Sequence, residues 1–501
     1  MYRRIIAPGA LAAASLLLAI PASAASYSPG APGIGDPYYP YYGNGGYDVS
    51  HYGLRLRYQP KTDELQGTAT IRARTTQDLS SFDLDFLLDV SEVRVNGVKA
   101  SFTHAEQHEL VITPKKPLAK GTPITVVVRY SGVPSTKSAY GFTTWHRTPD
   151  GAVAADEPES AWWWFPSNDH PSDKATYDVS VAVPQGTQAI SNGALESAVS
   201  KRGWTSYSWR QDKPQATYLA TLAIGRFDVT RSRSKHGVPV INAYSKDLGA
   251  TDTAARASVE RTGEIVDWLS NYFGPYPFAT AGGYVPNTTT GYALETQTRV
   301  YYSPKQFAKG ANPSVVVHEL AHQWYGDDVS LDGWKDIWLN EGFATYAQWL
   351  WSEHEGQGTT RQLAEQVYSS HPADDPFWTV KPGDPGPDDQ FADAVYDRGA
   401  AAIQALREAV GDRAFFRILK GWPKAHAYGN ASVADFEKYA EQVSGKPLAG
   451  LFDTWLYQPV KPAASAARGF AAAGAAVSPP KSWKQIEAAH QGHAAQGAHR
   501  G

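Results

Sequence analysis

The chain has 501 residues, 42% of them hydrophobic and 19% charged. That allows a large core divided over roughly two to four domains and excludes a globally disordered protein. A formal net charge of −4 without a block of basic residues argues against nucleic acid as a partner, and the lack of Cys excludes disulfides.

The amino terminus reads as a secretory signal. Arg3 and Arg4 precede an apolar run from Leu11 to Ile20, and Ala22-Ser23-Ala24 is a small-residue cleavage pattern, so residues 1–24 are expected to be removed after Ala24. The run is too short to span a membrane, no other segment is long and apolar enough, and the protein is expected to be secreted. Residues 25–46, rich in Pro, Gly, Tyr and Ser, read as a linker or a loosely docked arm.

From 47 to 232 the pattern is β. Leu54 and Leu56 alternate within Tyr52 to Tyr58, as do Ala69, Ile71 and Ala73 within Thr68 to Thr75. Asn96-Gly97 and Asn192-Gly193 are turn signals, and the strand spacing predicts a β-sandwich or saddle. From 233 to 462 helical periodicity takes over. It predicts one helix over Thr253 to Phe273, one from about Pro313 to Gly326, one capped by Asn340, and two over Gly399 to Val410 and Asp435 to Val443. The fold class is thus α+β multidomain, a β-rich domain followed by a mainly α one. Residues 463–501, dominated by Ala, Gly and Ser, read as a disordered tail, with His490, His493 and His499 as a weak metal-scavenging alternative.

The chemistry gathers at Val317-His318-Glu319-Leu320-Ala321-His322, an H-E-x-x-H pattern. On a helix, His318 and His322 share a face and can grip one metal ion. Glu319, beside them, is placed to take a proton from water. Glu341 follows His322 with eighteen residues between and is available as a third ligand. A His, His, Glu set leaves one coordination position open, which is the catalytic zinc arrangement, with one Zn2+ per chain. The bland alternative is two ordinary helix histidines and a surface carboxylate.

The run HELAHQWYGD followed by WLNEGFA resembles the aminopeptidase N family of zinc metallopeptidases (gluzincins). The resemblance implies a thermolysin-like catalytic domain behind the β-domain, zinc held by His318, His322 and Glu341, and Glu319 as general base. The family's Tyr-x-Lys/Arg-Gly pattern falls on Val395-Tyr396-Asp397-Arg398-Gly399, which implies Tyr396 as the oxyanion donor. Its amine-binding Gly-x-Met-Glu-Asn strand falls on Tyr292-Ala293-Leu294-Glu295-Thr296: Glu295 is retained, whereas Tyr292, Leu294 and Thr296 depart. A second amine contact falls on Glu157, eight residues before Phe165-Pro166, with Ala155 where the family has Gln. Trp162, Trp163 and Trp164 are candidates for the cleft entrance or for the core, and Asp327, Asp336 and Asn340 for orienting the ligands. Asp374 to Asp389 is a candidate rim.

The resemblance implies a secreted zinc aminopeptidase acting on peptide substrates. Many members continue into a helical domain that roofs the cleft, and here only the low-complexity tail follows. A more open cleft keeps a zinc endopeptidase as an alternative, and an inactive zinc-binding extracellular module is a third reading. Nothing in the sequence bears on oligomeric state.

Overall fold

The structure is a computed structural model that describes residues 26–105, 108–465 and 478–487. The signal segment 1–24 and His490, His493 and His499 lie outside them.

An eight-stranded sheet forms the frame of the β-domain. From edge to edge it runs Ala194–Lys201, Trp204–Gln215, Ala175–Pro184, Tyr47–Gln59, Glu64–Thr75, Pro123–Gly132, Asp89–Val95 and Val98–Lys99. Ala175–Pro184 and Tyr47–Gln59 pair in parallel. The alternation read from sequence sets the faces: Tyr52, Leu54, Leu56 and Tyr58 are buried, while Arg55 and Arg57 are exposed. Asn96 and Gly97 both take positive φ, +49° and +78°, in the hairpin between the last two strands. A four-stranded sheet of Ser28–Pro29, Leu79–Asp85, Glu109–Thr113 and Ser101–Ala105 shares the same apolar core through Phe82, Leu84, Leu110 and Ile112.

The catalytic unit begins before the expected boundary at 232/233. Phe227–Arg233 and Pro239–Ser245 form a hairpin that continues as a five-stranded sheet with Ala281–Val285, Val300–Tyr302 and the edge strand Ala293–Leu294. The boundary therefore cuts through a hairpin, whose pairing a composition count does not register. Nine helices follow among the described residues: α1 (Asp252–Val259), α2 (Thr262–Phe273), α3 (Pro313–Ala321), α4 (Trp338–His354), α5 (Thr360–Ser370), α6 (Asp393–Val410), α7 (Asp412–His426), α8 (Val433–Ser444) and α9 (Ala449–Phe452). The single helix expected over Thr253 to Phe273 is broken at Glu260, whose carboxylate accepts from Tyr244 (2.8 Å) and Thr230 (2.7 Å). None of the described helices is long and apolar enough to cross a membrane.

Two compositional readings are overturned. The arm is not a loose linker. Tyr42 is buried and stacks on Tyr39 at 4.6 Å, and the Asp36 carboxylate accepts from the Trp334 N–H (2.9 Å). The Tyr38 hydroxyl donates to Asp384 Oδ1 (2.6 Å), and that of Tyr39 donates to Gln390 Oε1 (2.9 Å). The arm thus crosses from one domain to the other and holds the Asp374 to Asp389 loop. Nor is the whole tail loose: residues 478–487 dock on the catalytic domain, where Ile486 is fully buried and Ser482 Oγ meets Ser352 Oγ at 2.7 Å. A composition count registers Pro, Gly and Ala but not the partners a few aromatic or apolar residues find far along the chain.

Candidate active site

α3 starts where Pro313 occupies the first turn and the Asn312 side chain accepts from the Val315 N–H (3.4 Å). It ends sooner than expected, at Ala321, so His322 is its C-cap and Gly326 lies beyond, at φ +134°. His318 and His322 keep helical spacing, with ring centroids 4.9 Å apart. α4 begins at Trp338, which puts Asn340 inside the first turn rather than at the cap. Its side chain instead fills the space a Cβ on Gly326 would need, 3.3 Å away.

Each imidazole is oriented from behind. His318 Nδ1 lies 3.1 Å from Gln348 Oε1, and His322 Nδ1 lies 3.1 Å from the Tyr325 carbonyl. Both partners only accept, so each Nδ1 carries a hydrogen and each Nε2 faces the opposite side. Glu341 Oε2 waits there, 3.1 Å from His318 Nε2 and 3.5 Å from His322 Nε2. The donor atoms of the three buried residues all lie within 4.8 Å of one another. Burial alone would raise the Glu341 carboxyl, but the facing imidazoles, His322 foremost, hold it well below the usual range, so it is an ionised ligand. The neighbouring carboxylates hold a proton on His322, and with zinc in that proton's place two imidazole nitrogens and one carboxylate around one point fit the ion.

Glu319 and Glu295 complete the floor. Their carboxylates and His322 also lie within 4.8 Å of one another, all buried. In this metal-free geometry burial pushes both carboxyls up to about 7, with the His322 charge opposing the rise. Glu295 stands immediately after the edge strand Ala293–Leu294. Gln323 fixes it: its Nε2 donates to the Glu295 carbonyl (3.0 Å), while its Oε1 accepts from the Thr298 N–H (2.8 Å). The Tyr218 hydroxyl sits 3.5 Å from Glu295 Oε1.

Tyr396, on the first turns of α6, is buried with its ring 6.0 Å from that of His318. Burial, reinforced by the Glu341, Glu157, Glu295 and Glu319 charges, holds its pKa far above the ordinary value, so the hydroxyl keeps its proton. Glu157, from the β-domain, is buried, and its charge acts on both Tyr218 and Tyr396. His318, His322, Glu341, Glu319 and Glu295 thus stand together, with Tyr396 beside His318. The three tryptophans do not line an entrance: Trp162, Trp163 and Trp164 are all fully buried in the β-domain core.

The ligand-orienting groups are Gln348 and the Tyr325 carbonyl rather than Asp327, Asp336 or Asn340. Asp336 Oδ1 instead accepts from Val433 N–H (2.9 Å) at the start of α8. Tyr218, Gln323 and Gln348 escaped the sequence reading; only the two-turn spacing of Gln348 from Glu341 on one helix offered a signal. The Arg of Tyr-x-Arg-Gly turns out to be structural. Arg398 is buried and donates to the carbonyls of Trp378 (2.7 Å), Val380 (2.8 Å), Trp455 (2.9 Å) and Gln458 (2.5 Å). The glycines are contact points between helices: a Cβ on Gly399 would stand 2.6 Å from the Trp338 ring and 3.4 Å from Gly342 Cα.

Residues 48–219 match the Peptidase M1 N-terminal domain and residues 259–455 the Peptidase family M1 domain. Among curated relatives, Aminopeptidase M1 of Arabidopsis thaliana is 27% identical over 81% of this chain and 51% of its own length. Aminopeptidase A of Gloydius brevicauda is 29% identical over 74% of this chain and 41% of its own. The chain thus spans about half the length of these relatives, or less. The M1 zinc metallopeptidase from Deinococcus radiodurans, by contrast, aligns over 99% of its chain and 86% of this one, at 28% identity and a TM-score of 0.77. With both domains matched and the His, His, Glu centre assembled between α3 and α4, the chain belongs to the M1 family of zinc metallopeptidases.

Proposed function

We propose that the protein is a secreted zinc aminopeptidase that removes amino-terminal residues from peptides. The observation that carries the reading is the buried Glu295 carboxylate beside Glu319 and His322, with the three donor atoms within 4.8 Å. A substrate ammonium paired with Glu295, and with Glu157, places the first peptide carbonyl beside the centre and leaves no room for a longer amino-terminal extension. A mutant of the Deinococcus radiodurans relative was solved bound to a Tyr-Ser-Ala substrate.

His318, His322 and Glu341 would hold the zinc, which when bound supplies Lewis-acid polarisation of the scissile carbonyl and acidifies water. Glu319 accepts the proton of the attacking water and delivers it to the departing amine. The Tyr396 hydroxyl, kept protonated by its surroundings, donates a hydrogen bond to the oxygen on which negative charge develops. Gln323 and Tyr218 keep the Glu295 carboxylate in place while the ammonium binds.

The test is hydrolysis of aminoacyl fluorogenic amides beside the same peptides acetylated at the amine. Cleavage of the free-amine set alone, with KM raised in Glu295→Gln, is expected. Turnover of the acetylated set would instead establish an endopeptidase. Export is tested separately: the amino-terminal residue of the protein recovered from the medium should be Ala25.

A further inference from the structure

The β-domain contains a second buried cluster of ligand-type side chains that the peptidase chemistry does not use. Asp85 ends the strand Leu79–Asp85 and Glu109 opens the strand Glu109–Thr113, and the two are direct antiparallel partners. Like charges directly opposite in a sheet repel, and these are almost fully buried, Asp85 at 0% and Glu109 at 2% exposure. His108, 2% exposed, is the ion-pair partner of both among the described residues: its Nε2 lies 3.4 Å from Asp85 Oδ1 and 3.5 Å from Glu109 Oε1. The carbonyl oxygen of Tyr41, in the amino-terminal arm, lies 3.0 Å from the same nitrogen.

The cluster has too little positive charge for its carboxylates. Among the described residues neither oxygen of Glu109, nor Asp85 Oδ1, has a hydrogen-bond donor, whereas Asp85 Oδ2 accepts from the Asp169 N–H at 2.6 Å. Asp83, two residues before Asp85 on the same strand and also buried, adds a further carboxylate. Buried carboxylates of this kind are either protonated or neutralised by a cation. The orphaned oxygens and the spacing of the ligand atoms fit a cation. The ligand atoms of Asp85, His108 and Glu109 all lie within 4.8 Å of one another. His108 Nε2 stands among three acceptor oxygens, those of Asp85, Glu109 and Tyr41, so a cation taking the place of its hydrogen would leave Nδ1 to carry that hydrogen toward the Tyr140 hydroxyl, 3.4 Å away. One imidazole nitrogen, two carboxylate oxygens and one carbonyl oxygen suit a divalent ion of the manganese or zinc class.

We propose that Asp85, His108, Glu109 and the Tyr41 carbonyl form a second, structural divalent-cation site that fastens the amino-terminal arm to the β-domain. The ion would replace a proton as the neutralising partner and would draw the Tyr41 backbone onto the sheet. The arm continues from there to the catalytic domain, so the site secures the inner end of the strap.

The test uses the full chain carrying His318→Ala and His322→Ala, which disables the catalytic centre. After chelation and dialysis, Mn2+ or Zn2+ is added and the bound metal is counted by mass spectrometry. One equivalent per chain is expected, falling to none when Asp85→Asn and Glu109→Gln are added. In the native chain the same two substitutions should lower the metal count from two to one while leaving peptide hydrolysis in place. Should the added substitutions prevent folding, the His318→Ala, His322→Ala chain answers alone. Added Mn2+ or Zn2+ should then raise its thermal midpoint and slow proteolysis within residues 26–46. No bound metal in that chain, with the midpoint unmoved by either ion, would overturn the proposal and leave His108 as a simple ion-pair partner.

Discussion

Glu319 and Tyr396 divide the proton chemistry, and their removal should leave different signatures. Glu319→Gln keeps the size and burial of the side chain but cannot accept a proton. Hydrolysis should fall by about 10²- to 10⁴-fold with zinc content unchanged, as read by metal analysis beside kinetics. Tyr396→Phe removes a donor needed as charge develops, so kcat should fall about 10²- to 10³-fold with little change in KM. Gln348→Leu touches neither substrate nor metal. It frees the His318 ring, and chelator competition should show zinc held about 10- to 100-fold less tightly. His318 and His322 were legible because helix period puts them on one face, and Glu319 and Glu341 because the H-E-x-x-H pattern and the eighteen-residue gap carry the family resemblance. Gln323 and Tyr218 were not, because their link to Glu295 spans 28 and 77 residues of sequence. No local pattern encodes such a contact.

The crossing of α4 and α6 converts two glycines into catalytic geometry. Trp338 lies over both, its Nε1–H donating to the Gly399 carbonyl (3.1 Å), and the helices touch where Gly342 meets Gly399. Glu341 and Tyr396 each stand within one turn of that contact. Gly399→Ala should gain helix propensity, about 1 kcal/mol. The overpacking against Trp338, typically about 1–3 kcal/mol, should outweigh that gain. Denaturant unfolding should report the net loss, and kcat should fall further than stability does, because the spreading helices separate Tyr396 from the zinc ligands. Arg398→Met is the harsher change. It strips donors from four buried or half-buried carbonyls, each worth about 1–3 kcal/mol when orphaned, and should lower the denaturation midpoint sharply. Helix ends were the least legible feature at this scale. α3 stops at Ala321 and α4 starts at Trp338 because tertiary partners, the Tyr325 carbonyl and Gly399 among them, claim the flanking residues.

For the molecule as a whole, acid residues buried in the β-domain set a pH dependence independent of the active site. Asp173 is buried where its carboxylate accepts from the Val49 N–H (3.2 Å) and from Asn168, and burial pushes its pKa up to about 8. In the unfolded chain it ionises near pH ~4. The folded protein therefore keeps a proton that the unfolded chain has released. Stability from this group is full below pH ~4, declines as pH rises, and is flat again above the folded value, about 8. Asp173→Asn, which cannot ionise, should make the fall in thermal midpoint across that window shallower; an unchanged slope would discount Asp173. The two-domain plan was legible from the change of period near residue 230, since alternation and helical repeat are both local signals. The strap across the domains was not, because Tyr38 and Tyr39 find their partners 346 and 351 residues on.

That separation also sets a temporal order. During synthesis the arm emerges well before Asp384 and Gln390, which follow Tyr38 and Tyr39 by 346 and 351 residues. The β-domain can close on itself early, yet the clasp onto the loop ahead of α6 must wait until that loop is available. A chain interrupted before that loop would own every zinc ligand and still leave its leading strap without an anchor.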